Sequence, residues 1–388
     1  MKEICIITNY FPPETGAASN RIAKLAVGLK ERGFKVNVVC PLPNYPKGKI
    51  FEDYQGKWNV KENYKGIEVH RLWVYANNSS NKFARLFSMV SFSMSLGIFK
   101  LFQPKSFPKN IIIQSPPLII ANTALRLFSN QKRKLILNVS DLWPSAGYEL
   151  GALQKGKFYS ILEKMEAYNY KKANLVLGQS QEILERVVSI FPEQDTFLYR
   201  NFPEAPKWKD FRLTEEKQPI KLIYAGLLGI AQGIVKLCQH IELGDKELHI
   251  YGAGAEKDAL EDYLKNTNKN IFYHGEVSRE KLLQKLPEYH LALVPLVNAI
   301  YGSTPSKIYE MAHNGLPMLY FAGGEGEKVI QDYKLGYTVT PGDFGALNNR
   351  IAHLELRELL EFKQQVLTTA RTHFNIEKQL DELADRLS

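Results

Sequence analysis

No Asp-x-Asp pair occurs anywhere in the 388 residues, and the eight histidines are dispersed. A divalent-metal site built on paired carboxylates or neighbouring imidazoles is therefore not expected. Cysteine is scarce too: Cys5, Cys40 and Cys238 lack metal or redox spacing, and the first two sit inside apolar, strand-like runs. They read as buried thiols, which fits a reducing cytoplasm. The residues ahead of Ile4 show no basic segment leading into a signal-type apolar stretch, so export is not expected. A periplasmic two-lobed sugar-binding protein is disfavoured on the same ground. There is no repeat, no low-complexity tract and no G-x-G-x-x-G fingerprint, which weakens a nicotinamide reading. No recognised nucleic-acid module accompanies the basic residues, so nucleic acid is not an expected partner.

What is present is the composition of a soluble globular protein, 45% hydrophobic and 23% charged. Its length suits two α/β halves of roughly 150–200 residues each. The net charge of +9 is uneven. Residues 1–202 carry 28 Lys and Arg against 15 Asp and Glu, a net +13; residues 203–388 carry 22 against 26, a net −4. The basic half points to an anionic partner or to a solvated surface.

Short apolar runs at Ile4–Thr8, Val36–Cys40, Ile111–Gln114, Leu135–Val139 and Leu175–Leu177 alternate with helical stretches. Ile22, Leu25, Ala26 and Leu29 mark the first helix by their i, i+3, i+4, i+7 spacing, and Gly33 closes it. Residues 203–219 lose periodicity and read as a linker. A second series follows at Leu222–Tyr224, Leu248–Tyr251, Ile271–Tyr273, Leu291–Val294 and Met318–Phe321, ending in a helical tail. The βαβ rhythm predicts two Rossmann-like domains, 1–202 and 220–369, facing a central cleft, with 370–388 packing back on the first.

Four stretches carry chemistry. Asn9–Ala18 follows the first strand with Gly16 and Ala17, small enough for backbone to approach a ligand at a helix N-terminus. It could equally be a turn that needs only flexibility, and Arg21 beyond it contacts an anion or solvent. Asn138–Pro144 brings Asp141 to a strand's carboxyl edge, where it orients a sugar hydroxyl, stabilises positive charge or simply caps the next helix. Tyr224–Gly233 places Gly226, Gly229, Gln232 and Gly233 between a strand and a helix, as close approach to a diphosphate requires; Gly252 and Gly254 end another strand, a common spacing. The most informative stretch is Gly302–Pro317. Ser306 and the helix start can hold phosphate oxygens, Lys307 adds a full charge, and the two oxygens of Glu310 suit a vicinal diol. The alternative is a local Lys307–Glu310 ion pair.

The Pro-Ser-Lys-x-x-Glu stretch, the Asp-Leu-Trp-Pro segment, the Ala-Gln-Gly turn and the Tyr-Phe-Pro-Pro-Glu-x-Gly loop, in this order across nearly the whole chain, resemble glycosyltransferase family 4. The branch they resemble is that of the bacterial surface-polysaccharide enzymes, which includes N-acetylfucosamine transferases. The resemblance implies a GT-B fold and a retaining hexosyl transfer without a metal ion or other cofactor. It implies a nucleotide-diphosphate donor, UDP-linked, carrying an N-acetylated or deoxy hexose. The acceptor it implies is a lipid-diphosphate-linked saccharide in capsule or O-antigen synthesis, at the inner face of the cytoplasmic membrane. By the resemblance Glu310 binds ribose, Lys307 and the 226–233 turn hold the diphosphate, and Gly16 and Ala17 approach the donor from the other domain. The chain departs from the wider family at Gly302, which replaces a partner glutamate, and at Leu227, Leu228 and Gln232, where a basic pair is usual. Ser140 stands where close relatives often have Arg. Diphosphate neutralisation then falls to Lys307, helix N-termini and Arg200. Asp141, Lys307 and Glu310 are the expected catalytic set, and a nucleotide-sugar epimerase on the same fold is the alternative activity.

Residues 82–109 bracket an uncharged stretch with Lys and Arg. Phe83, Leu86, Phe87, Val90, Met94, Ile98 and Leu101 form one helical stripe; Met89, Phe92, Leu96 and Phe99 form another. The stretch is short for a span of about 20 apolar residues. It reads as an interfacial helix, with Phe83, Arg85, Phe87, Phe92, Phe99 and Lys100 at the lipid, or as a helix buried in the fold.

Overall fold

The computed structural model describes residues 2–79, 81–130, 132–149, 151–204, 219–297 and 301–388. The chain forms two compact units, residues 1–201 with 377–388 and residues 202–376. Most of the expected linker, 205–218, lies outside the described residues.

The first unit is built on an eight-stranded sheet: β1 Glu3–Ile7, β2 Lys35–Pro41, β3 Asn59–Tyr64, β4 Ile67–Leu72, β5 Asn110–Ser115, β6 Lys134–Val139, β7 Leu175–Gly178 and β8 Thr196–Leu198. Its order is β3-β4-β2-β1-β5-β6-β7-β8, parallel except for the β3–β4 hairpin. β1 and β5 are buried from end to end on both faces, apart from their first residues. That is why they read as continuous apolar runs. The strand order reverses between β1 and β5. Loops at the carboxyl ends of these two strands therefore diverge to opposite faces and leave a crevice where open α/β sheets bind ligands.

The second unit repeats the logic with six parallel strands: β9 Lys221–Ala225, β10 Glu247–Tyr251, β11 Ile271–Tyr273, β12 Leu291–Pro295, β13 Met318–Phe321 and β14 Gly336–Thr338. The order β11-β10-β9-β12-β13-β14 places its reversal between β9 and β12. The helix Leu356–His373 stays with this unit, where Phe374 packs against Tyr309 and Tyr333 at ring distances of 5.0 Å. The return to the first unit thus begins at Glu377, later than the expected 370. The final helix, Ile376–Leu387, is fastened there by Arg32, which pairs with Glu377 at 3.0 Å and Asp381 at 2.7 Å.

The Lys82–Phe102 helix resolves the two apolar stripes. Phe92, Leu96 and Phe99 are buried in the core under the sheet, with Phe99 packing on Phe107. Burying each is worth about 1.5–3 kcal/mol. Phe83, Phe87, Val90, Met94, Ile98 and Leu101 point outward, Phe83 at 82% exposure. The helix is long and apolar enough to cross a membrane by length and composition, yet its inner face belongs to the fold. This corrects the lipid-facing set: Phe92 and Phe99 are core residues, because the 100° turn per residue carries them to the inner face. Lys100 is turned inward too, donating to the Leu127 carbonyl and lying over the Phe128 ring.

Candidate active site

In the first unit, the loop after β1 is fixed from beneath by Glu14. Its buried carboxylate accepts from the backbone N–H groups of Asn44 at 2.8 Å, Tyr45 at 2.9 Å and Phe11 at 3.3 Å. Burial raises the Glu14 pKa while those bonds hold it down. Arg71, buried on β4, binds Glu62 and the Pro12 carbonyl and so ties the same loop to the sheet edge. The result presents Gly16 at the head of the Ala17–Glu31 helix, with φ of 151° and no side-chain cap over the first N–H groups. Glycine is required at that φ. Tyr45 lies against Gly16 and makes an edge contact with Tyr10, 5.3 Å between rings.

Asp141 follows β6. The helix after it, Ser145–Glu149, takes its first backbone bonds from the Leu142 and Pro144 carbonyls. The Asp141 carboxylate is under the field of Arg21 instead, and burial raises its pKa against that pull. Arg21 is itself buried, its pKa lowered by desolvation, and its Nε has no hydrogen-bond partner among the described residues. The sequence left Arg21 open between anion and solvent; the structure withdraws it from solvent. Below, the Gln114 amide bridges two neighbours, donating to the Ser140 hydroxyl and accepting from Asn138, and Ser140 lies between the Ser115 carbonyl and the Asp141 carboxylate, which it helps hold ionised. Arg200 belongs to this unit, its backbone N–H and carbonyl both clasped by the Gln379 amide at 2.9 Å.

In the second unit, the loops after β9 and β12 meet at the strand-order reversal. Lys307 opens the Lys307–His313 helix and folds back over β9. Its ammonium stands 4.6 Å from the centre of the Tyr224 ring, and a Cβ placed on Gly226 would lie 1.6 Å from Nζ. Burial lowers the lysine pKa to about 8, while Glu310 acts in the opposite direction. Tyr224 in turn donates to the Leu227 carbonyl at 2.6 Å and so shapes the turn. Lys307 and Glu310 do not form the local ion pair allowed by their spacing. Glu310 pairs with Arg279, 3.0 Å from Nη2 to Oε1. Arg279, at the start of the Arg279–Lys285 helix, carried no sequence signal, because its relation to Glu310 exists only once β11 and β12 are placed.

Ser306 is exposed at the start of the Lys307 helix, its side chain making no cap hydrogen bond. The Gln232 Oε1 and the Thr304 Oγ1 are buried without partners among the described residues. Gln232 closes the turn through its N–H to the Gly229 carbonyl at 3.0 Å. Gly252 and Gly254 come close to the chain's own backbone. A Cβ on Gly252 would lie 1.8 Å from the Gly226 carbonyl oxygen, and one on Gly254 would lie 2.4 Å from that of Leu228. Their missing side chains let the β10 loop run against the β9 turn, stitched by Gly226 N–H to Tyr251 O and Leu228 N–H to Ala253 O, both 2.9 Å. Among the described residues no three His, Cys, Asp or Glu side chains converge as a metal site.

This arrangement defines the class: two Rossmann-like domains of the GT-B type, each with its candidate residues at the carboxyl-end loops of its sheet. A sucrose-phosphate synthase from Thermosynechococcus elongatus has the same fold, with TM-score 0.74 at 15% identity, covering 100% of this chain and 99% of that one. The Anabaena protein Alr3699/HepE, solved in complex with UDP and glucose, gives 0.65 at 12% identity, covering 100% and 99%. Residues 16–197 match the model described as glycosyl transferase 4-like domain, and residues 221–355 match that described as glycosyl transferases group 1. The chain belongs to these GT-B glycosyltransferases. It is also 23% identical over 331 residues to the putative colanic acid biosynthesis glycosyl transferase WcaI of Escherichia coli K12, covering 79% of this chain and 80% of that protein. None of these matches supports the epimerase alternative.

Proposed function

We propose that the chain transfers a hexose from a UDP-linked donor to a lipid-diphosphate-linked saccharide during assembly of a bacterial surface polysaccharide. The observation that carries this reading is the Lys307 ammonium poised over Gly226, where the β9 and β12 loops meet. A cation held over bare backbone at that position suits a diphosphate better than any neutral group. Glu310 accepts from the ribose hydroxyls, and Arg279 holds it in place. Gly226, Gly229 and Gln232 line the diphosphate, with Ser306 beside it. Gly16 and Ala17 present their N–H groups to the donor, Arg200 adds positive charge, and Asp141 orients the acceptor or the sugar.

The reaction follows from charge. The bond between the anomeric carbon and the β-phosphate oxygen lengthens, negative charge grows on the diphosphate, and Lys307 stabilises it more in the transition state than in the ground state. The acceptor hydroxyl attacks from the same face, and its proton passes to the departing phosphate oxygen. The anomeric configuration is retained, and the absence of an Asp-x-Asp pair supports transfer without a metal ion. The name of the WcaI relative supports a surface-polysaccharide acceptor, and the HepE complex supports UDP. An N-acetylated or deoxy sugar rests on the family resemblance alone. The exposed stripe from Phe83 to Leu101, with Arg85 beside it, supports work at the inner face of the cytoplasmic membrane.

Incubation with a panel of UDP-hexoses and a lipid diphosphate saccharide tests this. Sugar transfer with an α-linked product from an α-linked donor is expected. Conversion of the donor with no acceptor present would show an epimerase instead.

A further inference from the structure

Two buried arginines in the first unit differ in how their charge is answered. Arg71 bonds Glu62 and the Pro12 carbonyl, so both its charge and its N–H groups are met inside the fold. Arg21 is only 8% exposed, makes no ion pair among the described residues, and leaves its Nε without a hydrogen-bond partner there. A cation buried in that way costs stability, and an apolar side chain of similar length packs at least as well. Packing alone gives no reason for an arginine at this position.

Its surroundings do. Arg21 stands four residues after Ala17 on the Ala17–Glu31 helix, on the same face and one turn below the open N–H groups headed by Gly16. Asp141 follows β6, two strands along the sheet from β1, which leads into that helix. Arg21 acts on the Asp141 carboxylate through its field and opposes the effect of burial, yet the two form no direct ion pair. The groups facing them are Ser140 and Tyr199. Ser140 helps hold the carboxylate ionised, and the Tyr199 phenol after β8 stays neutral because burial raises its pKa, with Arg32 and Glu377 beyond it. Glu310 makes the contrast: Arg279 bonds that carboxylate directly and occupies one of its oxygens. A guanidinium that stands off keeps the Asp141 carboxylate charged and leaves its oxygens open to a hydrogen-bond donor. The donor group that a saccharide offers them is a hydroxyl.

We propose that Arg21 is a positioning residue for the transfer: from one turn below Ala17 it holds Asp141 as an open carboxylate that accepts a hydrogen bond from a saccharide hydroxyl. The role rests on the transferase reading, but the link between the two residues is tested without substrate. Urea unfolding of the full chain is followed by tryptophan fluorescence, three of whose four sources, Trp58, Trp73 and Trp143, lie in the first unit. Arg21→Met and Asp141→Asn should be non-additive at pH 7.5 by at least about tenfold in the unfolding equilibrium constant. The coupling should shrink as pH falls toward about 5, because burial raises the Asp141 pKa and a protonated carboxyl no longer feels the guanidinium. Turnover with the substrates found by the panel of UDP-hexoses gives the second readout. Activity should fall in acid as Asp141 takes up its proton, and Arg21→Met should move that fall upward by at least about one pH unit. Arg21→Lys, which keeps the charge, should restore the wild-type profile. Arg21→Gln carries the same predictions as Arg21→Met and replaces it should the methionine variant not fold. Additive substitutions at pH 7.5 overturn the proposal. So does loss of turnover with the acid limb unmoved, which would make the arginine structural. Coupling of the expected size in a chain that transfers no sugar refutes the transferase reading and the positioning role with it, and leaves the Arg21–Asp141 link standing.

Discussion

The Nζ of Lys307 occupies the space in which a side chain at residue 226 would begin: a Cβ built on Gly226 would stand 1.6 Å from Nζ and 2.5 Å from Cε. The glycine therefore gives the lysine its place, and the lysine's long stem makes that place reversible. Gly226→Ala should displace the ammonium without unfolding the unit, since the atom met is the end of a flexible chain. UDP affinity should fall about tenfold, the scale of one lost charge-assisted hydrogen bond. The melting temperature should move little. Calorimetry with UDP and a thermal melt check both parts.

The lowered pKa of Lys307, about 8, gives the pH dependence its sign. The charged form that attracts phosphate predominates below pH 8 and is lost as pH rises through it. UDP affinity should be nearly flat up to about pH 7, bend near pH 8 and fall toward about tenfold per unit above that. Lys307→Arg should flatten the profile to pH 9.5, because guanidinium does not titrate there. A fall that persists in the arginine variant would place the titrating group elsewhere.

If Glu310 accepts from the ribose diol, Glu310→Gln should weaken UDP about tenfold and barely change binding of 2′-deoxy-UDP. Arg279→Ala, which frees the carboxylate from its 3.0 Å partner, should weaken UDP only a few-fold. Equal losses for the two nucleotides in Glu310→Gln would remove the diol role.

The two faces of the Lys82–Phe102 helix should separate in mutagenesis. Phe87→Asp should reduce binding to anionic vesicles with little change in melting temperature. Phe92→Ala should cost about 3–5 kcal/mol in stability through the cavity it leaves, with folded protein still binding vesicles. Sedimentation with liposomes and urea unfolding distinguish them.

The central strands were legible because burial on both faces leaves no polar alternation: β1, β5, β6, β9, β12 and β13 fall where their apolar runs lie. The edges were not. β3 reads Asn-Val-Lys-Glu-Asn-Tyr, a half-exposed edge strand whose inner side includes Glu62, and β4 carries His70 and Arg71 just before its last residue, charged-type side chains that the fold buries. Arg71 is tolerated only because Glu62 and the Pro12 carbonyl reach it from elsewhere in the chain, a pairing no local window contains. The short β8 and β14 also escaped notice. At the candidate site, the strand-to-helix placement of Lys307, Glu310, Gly226 and Asp141 was legible. What was not legible was their company: Tyr224 under Lys307, Arg279 on Glu310, Arg21 near Asp141 and Glu14 beneath Gly16. Three of these join segments that follow or form different strands, and Glu14 does its work by reaching Asn44 and Tyr45 after β2, so all depend on strand order rather than on local spacing. Gly252 and Gly254 show the converse, a suggestive glycine pair whose close approach is to the chain's own backbone.

The most direct test is a calorimetric titration of UDP into the wild-type chain and into Lys307→Ala at pH 7.5. The account predicts one site per chain in the wild type and affinity at least about tenfold weaker in the variant, with both proteins melting as folded. Equal binding by the two, or none by the wild type, would contradict the grip of Lys307 on the diphosphate.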